Sequence, residues 1–301
     1  MPELPDVLLY IESLKPRILN QTLQRLRLAS PFVVRSVTPP IAAIHNRNVR
    51  AVSRLGKQIV LRFDSDLFLI VHLMIAGRFQ WKQPGARIPG KLGLAALDFP
   101  SGTLLLTEAG SKKRASLHLV EGERALGAFD RGALEVLDSS SEEFRAVLTR
   151  ENHTLKRALT DPRLFSGIGN AYSDEILHRA RLSPMKLTSK LSQEETARLH
   201  AAAKSTLTEW IERLRIETGA GFPSKVTAFR PEMAVHGRYG EACPDCGSPV
   251  QRIVYAENEC NYCATCQTEG RLLADRALSR LLKQDWPRSL DEWELHIESR
   301  K

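Results

Sequence analysis

Cysteine is absent from the first 242 of the 301 residues, and all five cysteines lie between positions 243 and 266. That distribution excludes a disulfide framework spread along the chain and points to one local metal site. No apolar run reaches the roughly 18 residues that span a bilayer, which excludes a helical membrane protein. The start of the chain carries an acid at Glu3 and lacks the basic-then-apolar order of a secretory signal, so a cytosolic location is expected. Internal repeats and low-complexity tracts are missing as well. What remains is ordinary for a soluble globular chain, 43% hydrophobic and 26% charged, and long enough for two domains. Basic residues outnumber acidic ones by 43 to 35, giving a net charge of +8, which favours a polyanionic partner such as nucleic acid.

Residues 5–19 place Val7, Ile11, Leu14 and Ile18 at intervals of three and four, the pattern of an amphipathic helix with Pro5 in its first turn. From about 22 to 120 the pattern turns to short strands. Leu23, Leu26 and Leu28 open one. Residues 59–63 and 67–73 flank an Asp64-Ser65-Asp66 turn, 94–99 and 103–107 flank Pro100-Ser101-Gly102, and 115–120 give one more. Such an array predicts a β-sandwich that carries the first helix. Residues 121–140 lack periodicity, and a linker is expected near 130–140. Ser140 with Glu143, and Ser192 with Glu195, match capping boxes. The second opens a helix to about 217 with Leu199, Ala203, Leu207, Trp210 and Leu214 on one core-facing stripe. Residues 219–233, with two glycines and two prolines, read as a loop.

Four stretches carry candidate chemistry. Cys243-x2-Cys246 and Cys263-x2-Cys266, separated by 16 residues, supply four thiolates for a closed tetrahedral zinc site. Cys260 lies outside both knuckles and reads as a bystander. Gly167-Ile168-Gly169-Asn170 precedes a helical pattern at 171–177. Glycines there admit a phosphate to the free N–H groups of a helix N-terminus, although the motif alone also fits a plain tight turn. Lys57, after Gly56 and before a strand, is either a solvated surface charge or a phosphate contact. At the start, Met1-Pro2 is a context in which the initiator is normally removed. That leaves Pro2 with a secondary amine of pKa about 8, nucleophilic near neutral pH, beside Glu3, which can move protons. Alone, Pro2 and Pro5 read more readily as residues that stiffen a helix start.

Together, in order and spacing, these residues resemble the formamidopyrimidine-DNA glycosylase / endonuclease VIII family over about residues 2–267. The resemblance rests on Pro2-Glu3-Leu4-Pro5, Gly56-Lys57, His72-Leu73-Met74 with Gly77-Arg78, and the 159–170 stretch. It continues through Tyr172 with Glu175-Ile176-Leu177 and Gly237-Arg238 to the cysteine knuckles and Gln267. It implies an α+β multidomain fold: an N-terminal helix plus β-sandwich, then a helical domain with a helix–two-turn–helix and a zinc-finger hairpin. The expected divisions are 1–135, 136–235 and 236–270, with a C-terminal helical extension at 271–301.

The implied activity is that of a bifunctional DNA glycosylase with AP-lyase activity in base excision repair, a monomer acting on damaged DNA with one structural Zn2+. Pro2 is then the nucleophile that attacks C1′ of an extruded nucleotide, and Glu3 protonates the sugar ring oxygen. Lys57, Asn170 and the Gly167 and Gly169 backbone hold phosphate. Met74 fills the hole left by the base, and Lys112, Lys113, Arg114 and Lys156 are expected on DNA. Against the family pattern, Asp6 stands for a glutamate. Residues 108–115 keep basic charge but lack an aromatic wedge. Asn258, between Glu257 and Glu259, replaces an arginine of the zinc hairpin. Residues 268–301 run past the family's usual end, with Ser289 and Glu292 suggesting a capped helix that holds Leu290 and Trp293. The alternative expectation is a non-catalytic binder of damaged or unusual DNA on the same scaffold, which has no need of Pro2 and Glu3.

Overall fold

A computed structural model describes residues 1–110, 112–224, 226–255, 258–274, 287, 289, 290 and 292; the side chains of 255 and 258 are outside the description. Residues 1–132 with 209–228 form one compact unit, and 133–208 with 229–301 the other.

In the first unit, the periodicity of the opening residues becomes helix α1, Leu4–Ile18, with Pro5 in its first turn. Nine strands follow in chain order: β1 Thr22–Leu23, β2 Arg25–Leu28, β3 Arg47–Leu55, β4 Gln58–Phe63, β5 Leu67–His72, β6 Gly77–Lys82, β7 Gly93–Phe99, β8 Gly102–Glu108 and β9 Ser116–Glu121. They make two antiparallel sheets, β1-β3-β4-β5-β9 and β2-β7-β8-β6. Val7, Tyr10, Leu14 and Ile18 of α1 share one core with Leu61, Leu69 and Val71 of the first sheet and Phe79, Leu97 and Leu106 of the second. Burying this stripe fixes α1, and therefore the chain's first residues, against the sandwich. β5 reads as a continuous apolar run because both its faces are covered. Phe68 and Ile70 meet Val60, Leu126 and Phe129 on the outer side, beneath α2, Glu123–Gly127.

The sequence pattern names no strand at β3 or β6. In β3, Arg47, Arg50 and Arg54 are interspersed with Val49 and Val52, so only one face is apolar. Residues 209–228 belong to this unit through local bonds. Arg215 pairs with Glu12 at 2.5 Å, Arg17 donates to the Gly221 carbonyl at 3.0 Å, and Phe222 packs against Tyr10 with 5.8 Å between ring centroids.

The second unit holds α3 Ser141–Leu148, α4 Leu155–Thr160, α5 Asn170–Arg179 and the first part of α6, Gln193–Thr218. Both capping boxes form. Ser140 N donates to Glu143 at 2.8 Å, and Ser192 N donates to Glu195 at 2.9 Å. The whole α6 stripe from Leu199 to Leu214 is buried. A hairpin of β10 Val250–Tyr255 and β11 Asn258–Cys263 leads into α7, Ala264–Thr268.

The N-terminal helix and sandwich, the helical region and the terminal cysteine cluster make up the α+β multidomain architecture expected. Past α7, Leu272, Leu273 and Leu290 cover Ile253 and Tyr262 of the hairpin, and Ser289 Oγ accepts from Glu292 N at 3.2 Å. Most of the expected C-terminal helix, Trp293 included, and the Asn258 and Glu257 side chains lie outside the described residues. Among the described residues no helix is long and apolar enough to cross a membrane.

Candidate functional site

Pro2, Glu3 and Asp6 are all buried. Glu3 is the N-cap of α1, and the Asp6 carboxylate accepts its backbone N–H at 3.0 Å in a capping box. The aspartate at position 6 thus has a local task, holding the Glu3 backbone at the head of the helix. With Met1 in place, burial pushes its α-amine below the ordinary pKa. Glu3 and Asp6 oppose that shift, and Arg78 and Lys57 add to it. Lys57 follows Gly56, whose φ of +59° makes the tight β3–β4 turn possible. His72, at the end of β5, is lowered to about 4 by burial, then by Lys57, Arg131 and His118, so its imidazole is neutral at pH 7.

β5 and β6 are joined by a turn closed by Gly77 N to the Leu73 carbonyl at 2.9 Å. Met74, partly buried, takes φ +54°, and Ile75 beside it is 52% exposed. Arg78 fastens this turn by donating to the Gly77 and Ile75 carbonyls at 2.7 and 3.2 Å and to the Val226 carbonyl. After β8 the chain closes on Glu108. Its buried carboxylate accepts from Arg114 N and Ala115 N at 2.9 and 3.1 Å, and Lys113 donates to its carbonyl. Lys112 and Arg114 have exposed side chains.

In the second unit, Gly167 and Gly169 are buried, and Gly169 is the N-cap of α5. Asn170 is its first residue, and its Nδ2 donates to the Glu259 carbonyl of β11 at 2.8 Å. Lys156, expected on DNA, is instead 5% exposed, and its ammonium has three partners inside the unit. It donates to the Asn170 carbonyl at 2.6 Å, Ser173 Oγ at 2.8 Å and Asp174 at 2.6 Å. The other Asp174 oxygen holds His236 Nδ1 at 2.7 Å. Glu175 accepts the N–H groups of Ala234, Val235 and His236 at 2.7 to 2.9 Å. Sequence reasoning missed these partners. The acids at 174 and 175 carry no sign of what they face until the 234–236 segment is folded beside them.

The four knuckle cysteines converge with their sulfurs within 4.8 Å of one another, 3.9 Å for Cys243–Cys266 and 3.4 Å for Cys246–Cys263. Tetrahedral zinc with Zn–S bonds of about 2.3 Å needs sulfurs ~3.8 Å apart, so the four fit a metal ion. Burial pushes the Cys263 thiol up to about 12 and Cys266 upward as well, whereas at Cys246 burial is outweighed by hydrogen bonds with Ser248 and the neighbouring cysteines, which bring it down to about 6. Four thiolates this close repel one another unless a cation lies among them. His178 of α5 lies 3.3 Å from the Cys243 sulfur, outside the set of four and in the place of a supporting group. Gln267 ties the site down. It accepts from Cys263 N at 2.8 Å and donates to the Leu182 carbonyl at 2.9 Å.

Residues 1–119 match the formamidopyrimidine-DNA glycosylase N-terminal domain, and 135–220 the formamidopyrimidine-DNA glycosylase H2TH domain. Formamidopyrimidine-DNA glycosylase of Thermus thermophilus is 32% identical over 283 residues, covering 90% of this chain and 100% of that one. An uncharacterized formamidopyrimidine-DNA glycosylase-like protein of Mycobacterium tuberculosis is 40% identical over 160 residues, 53% of this chain and 96% of its own. Among solved structures, the Thermus thermophilus MutM (Fpg) protein superposes with a TM-score of 0.74 at 31% identity, covering 88% of this chain and 98% of that one. A Lactococcus lactis Fpg mutant in complex with a Fapy-dG containing DNA gives 0.77 at 25% identity, over 89% and 100%.

Replacing Lys156 with methionine keeps the bulk and removes the charge, leaving Asp174 buried without its ammonium. The expected result is a loss of roughly 3–5 kcal/mol in the stability of this unit, read as a lower urea midpoint with the sandwich unit unaffected. Wild-type stability for Lys156→Met would show that the ammonium does not neutralise Asp174.

Proposed function

The chain belongs to the formamidopyrimidine-DNA glycosylase family, and on that premise we propose that it is a bifunctional DNA glycosylase and AP lyase that works through the amine of Pro2. The observation that carries the proposal is the buried start of α1, where Pro2 and Glu3 are adjacent and Asp6 fixes the Glu3 backbone. Removal of Met1 makes the Pro2 nitrogen a secondary amine. An α-amine is less basic than a lysine, so part of it is neutral and nucleophilic near pH 7.

The amine attacks C1′ of a nucleotide extruded from the stack. The C–N bond to the base breaks, and the base leaves with that electron pair and the proton given up by the attacking amine; Glu3 gives its proton to the sugar ring oxygen as the C1′–O4′ bond opens. The iminium so formed acidifies the C2′ hydrogen. Its loss expels the 3′ phosphate by β-elimination, and a second elimination expels the 5′ phosphate. Lys57 is the phosphate contact of the sandwich unit; Asn170 and the α5 N-terminus are those of the second unit. One structural zinc ion on Cys243, Cys246, Cys263 and Cys266 holds the hairpin. Zinc supplies only cross-linking there, because all four positions are filled by protein.

Incubation with abasic-site DNA and borohydride is expected to yield a covalent protein–DNA adduct. A tag ahead of Pro2 should abolish it while DNA binding persists, since an internal proline nitrogen is an amide. Glu3→Gln should bind abasic DNA but release a damaged base far more slowly. No adduct from a chain with a confirmed Pro2 terminus would replace the proposal with that of a non-catalytic DNA binder. For the zinc, elemental analysis should give one ion per chain, and Cys246→Ser should lower DNA affinity with the sandwich unit still folded. A protein free of zinc that binds DNA normally would remove the metal from the account.

A further inference from the structure

We propose that the open edge of β2 is a docking site for an extended acidic segment of a partner protein, which adds to the second sheet as a further strand and sets its carboxylates against Arg25 and Arg87. None of the residues that line this edge is among those to which the chemistry above is assigned.

β2 ends its sheet. In the order β2-β7-β8-β6 its one strand neighbour among the described residues is β7, paired from Arg25 with Asp98 to Leu28 with Ala95. A strand in that place keeps one row of backbone N–H and C=O groups outside the ladder. A groove of about 680 Å³ runs beside it, lined by residues 25–29 and, from the segment between β6 and β7, by Arg87 and Ile88. Successive side chains of a strand point to opposite faces. Here Leu26 is buried in the core while Arg25 is exposed. Five consecutive residues therefore line one groove through the backbone they share, and the groove follows the strand's edge.

Charge selects the occupant. Arg27 is neutralised in place: it donates to the two Asp98 oxygens at 2.6 and 2.8 Å. It also donates to the Ala86 carbonyl at 2.7 Å, which ties the far wall of the groove to β2. Arg25 and Arg87 are exposed and enter no salt bridge among the described residues. Three arginines against Asp98 leave two positive charges over a lining that Leu28, Ala29 and Ile88 make partly apolar. A second copy pairing through the same edge would bring arginine against arginine, which opposes self-association. DNA supplies negative charge but no extended row of amide donors and acceptors for the strand edge. An acidic peptide in extended form supplies both, with main-chain bonds for affinity and its carboxylates for specificity.

The test is fluorescence anisotropy of the full chain with a labelled peptide of alternating aspartate and valine, which carries the charge and favours the extended form. Saturable binding with a Kd below about 100 μM is expected. Arg25→Glu combined with Arg87→Glu should weaken it by about ten-fold or more, with the affinity for intact duplex DNA unchanged. Methylating the peptide amides that face β2 keeps the charges, removes the donors and should abolish binding. If the reversed variant melts below wild type, the comparison passes to Arg25→Ala with Arg87→Ala, where a loss of about three-fold or more is expected. No binding by wild type, or binding that survives these substitutions, overturns the proposal. Equal binding of the methylated peptide overturns strand addition. Duplex DNA affinity that falls as far as peptide affinity makes the groove a DNA contact, and a wild-type dimer that the reversed variant lacks makes its occupant a second copy; either result overturns the proposal.

Discussion

The bond from Glu3 N–H to the Asp6 carboxylate is the contact on which the first unit's proposed chemistry depends. A chain terminus is ordinarily the most mobile point of a domain unless something ties it down. Here the tie is built from α1 itself. Its apolar stripe is buried in the core it shares with both sheets, its N-cap is Glu3, and its third residue closes the first turn. Asp6 suits this role because a short acid in the first turn caps backbone N–H groups and complements the helix dipole. The proton-transfer residue and the amine beside it are therefore positioned by the hydrophobic core, through one capping bond.

A comparable economy governs the second unit, where α5 gathers the buried polar contacts around the cysteine hairpin. Asn170, Asp174, Glu175 and His178 lie at positions that share one side of α5. They hold, in order, the Glu259 carbonyl, Lys156 with His236, the 234–236 backbone and the Cys243 sulfur. Buried charges of this kind are costly unless every partner is present. The network therefore makes the cysteine hairpin's place relative to α5 an all-or-none matter. Lys156 belongs to this framework. Its ammonium donates to the backbone of Asn170 and so sets the first turn of the helix, where a phosphate-binding terminus is proposed.

Much of this was legible in the sequence wherever the physics is local. The cysteine knuckles, both capping boxes and the α1 stripe depend on spacings of three to four residues, and all form. β3 was not legible because its arginines hide a one-sided strand, visible only when β4 lies beside it. Lys156 carries no mark of burial, since the acid that neutralises it is 18 residues away and is reached only through the fold. The exposure of Ile75 carries no mark in composition or periodicity; it lies on a turn shaped by the left-handed φ of Met74.

The central claim is that the chain's own terminal nitrogen forms the bond to DNA. Its most direct test is mass-spectrometric mapping of the reduced protein–DNA adduct. The account predicts a single cross-linked peptide that begins at Pro2 and carries the deoxyribose remnant on its α-nitrogen. Attachment at a lysine, or a linked peptide that still begins with Met1, would contradict it.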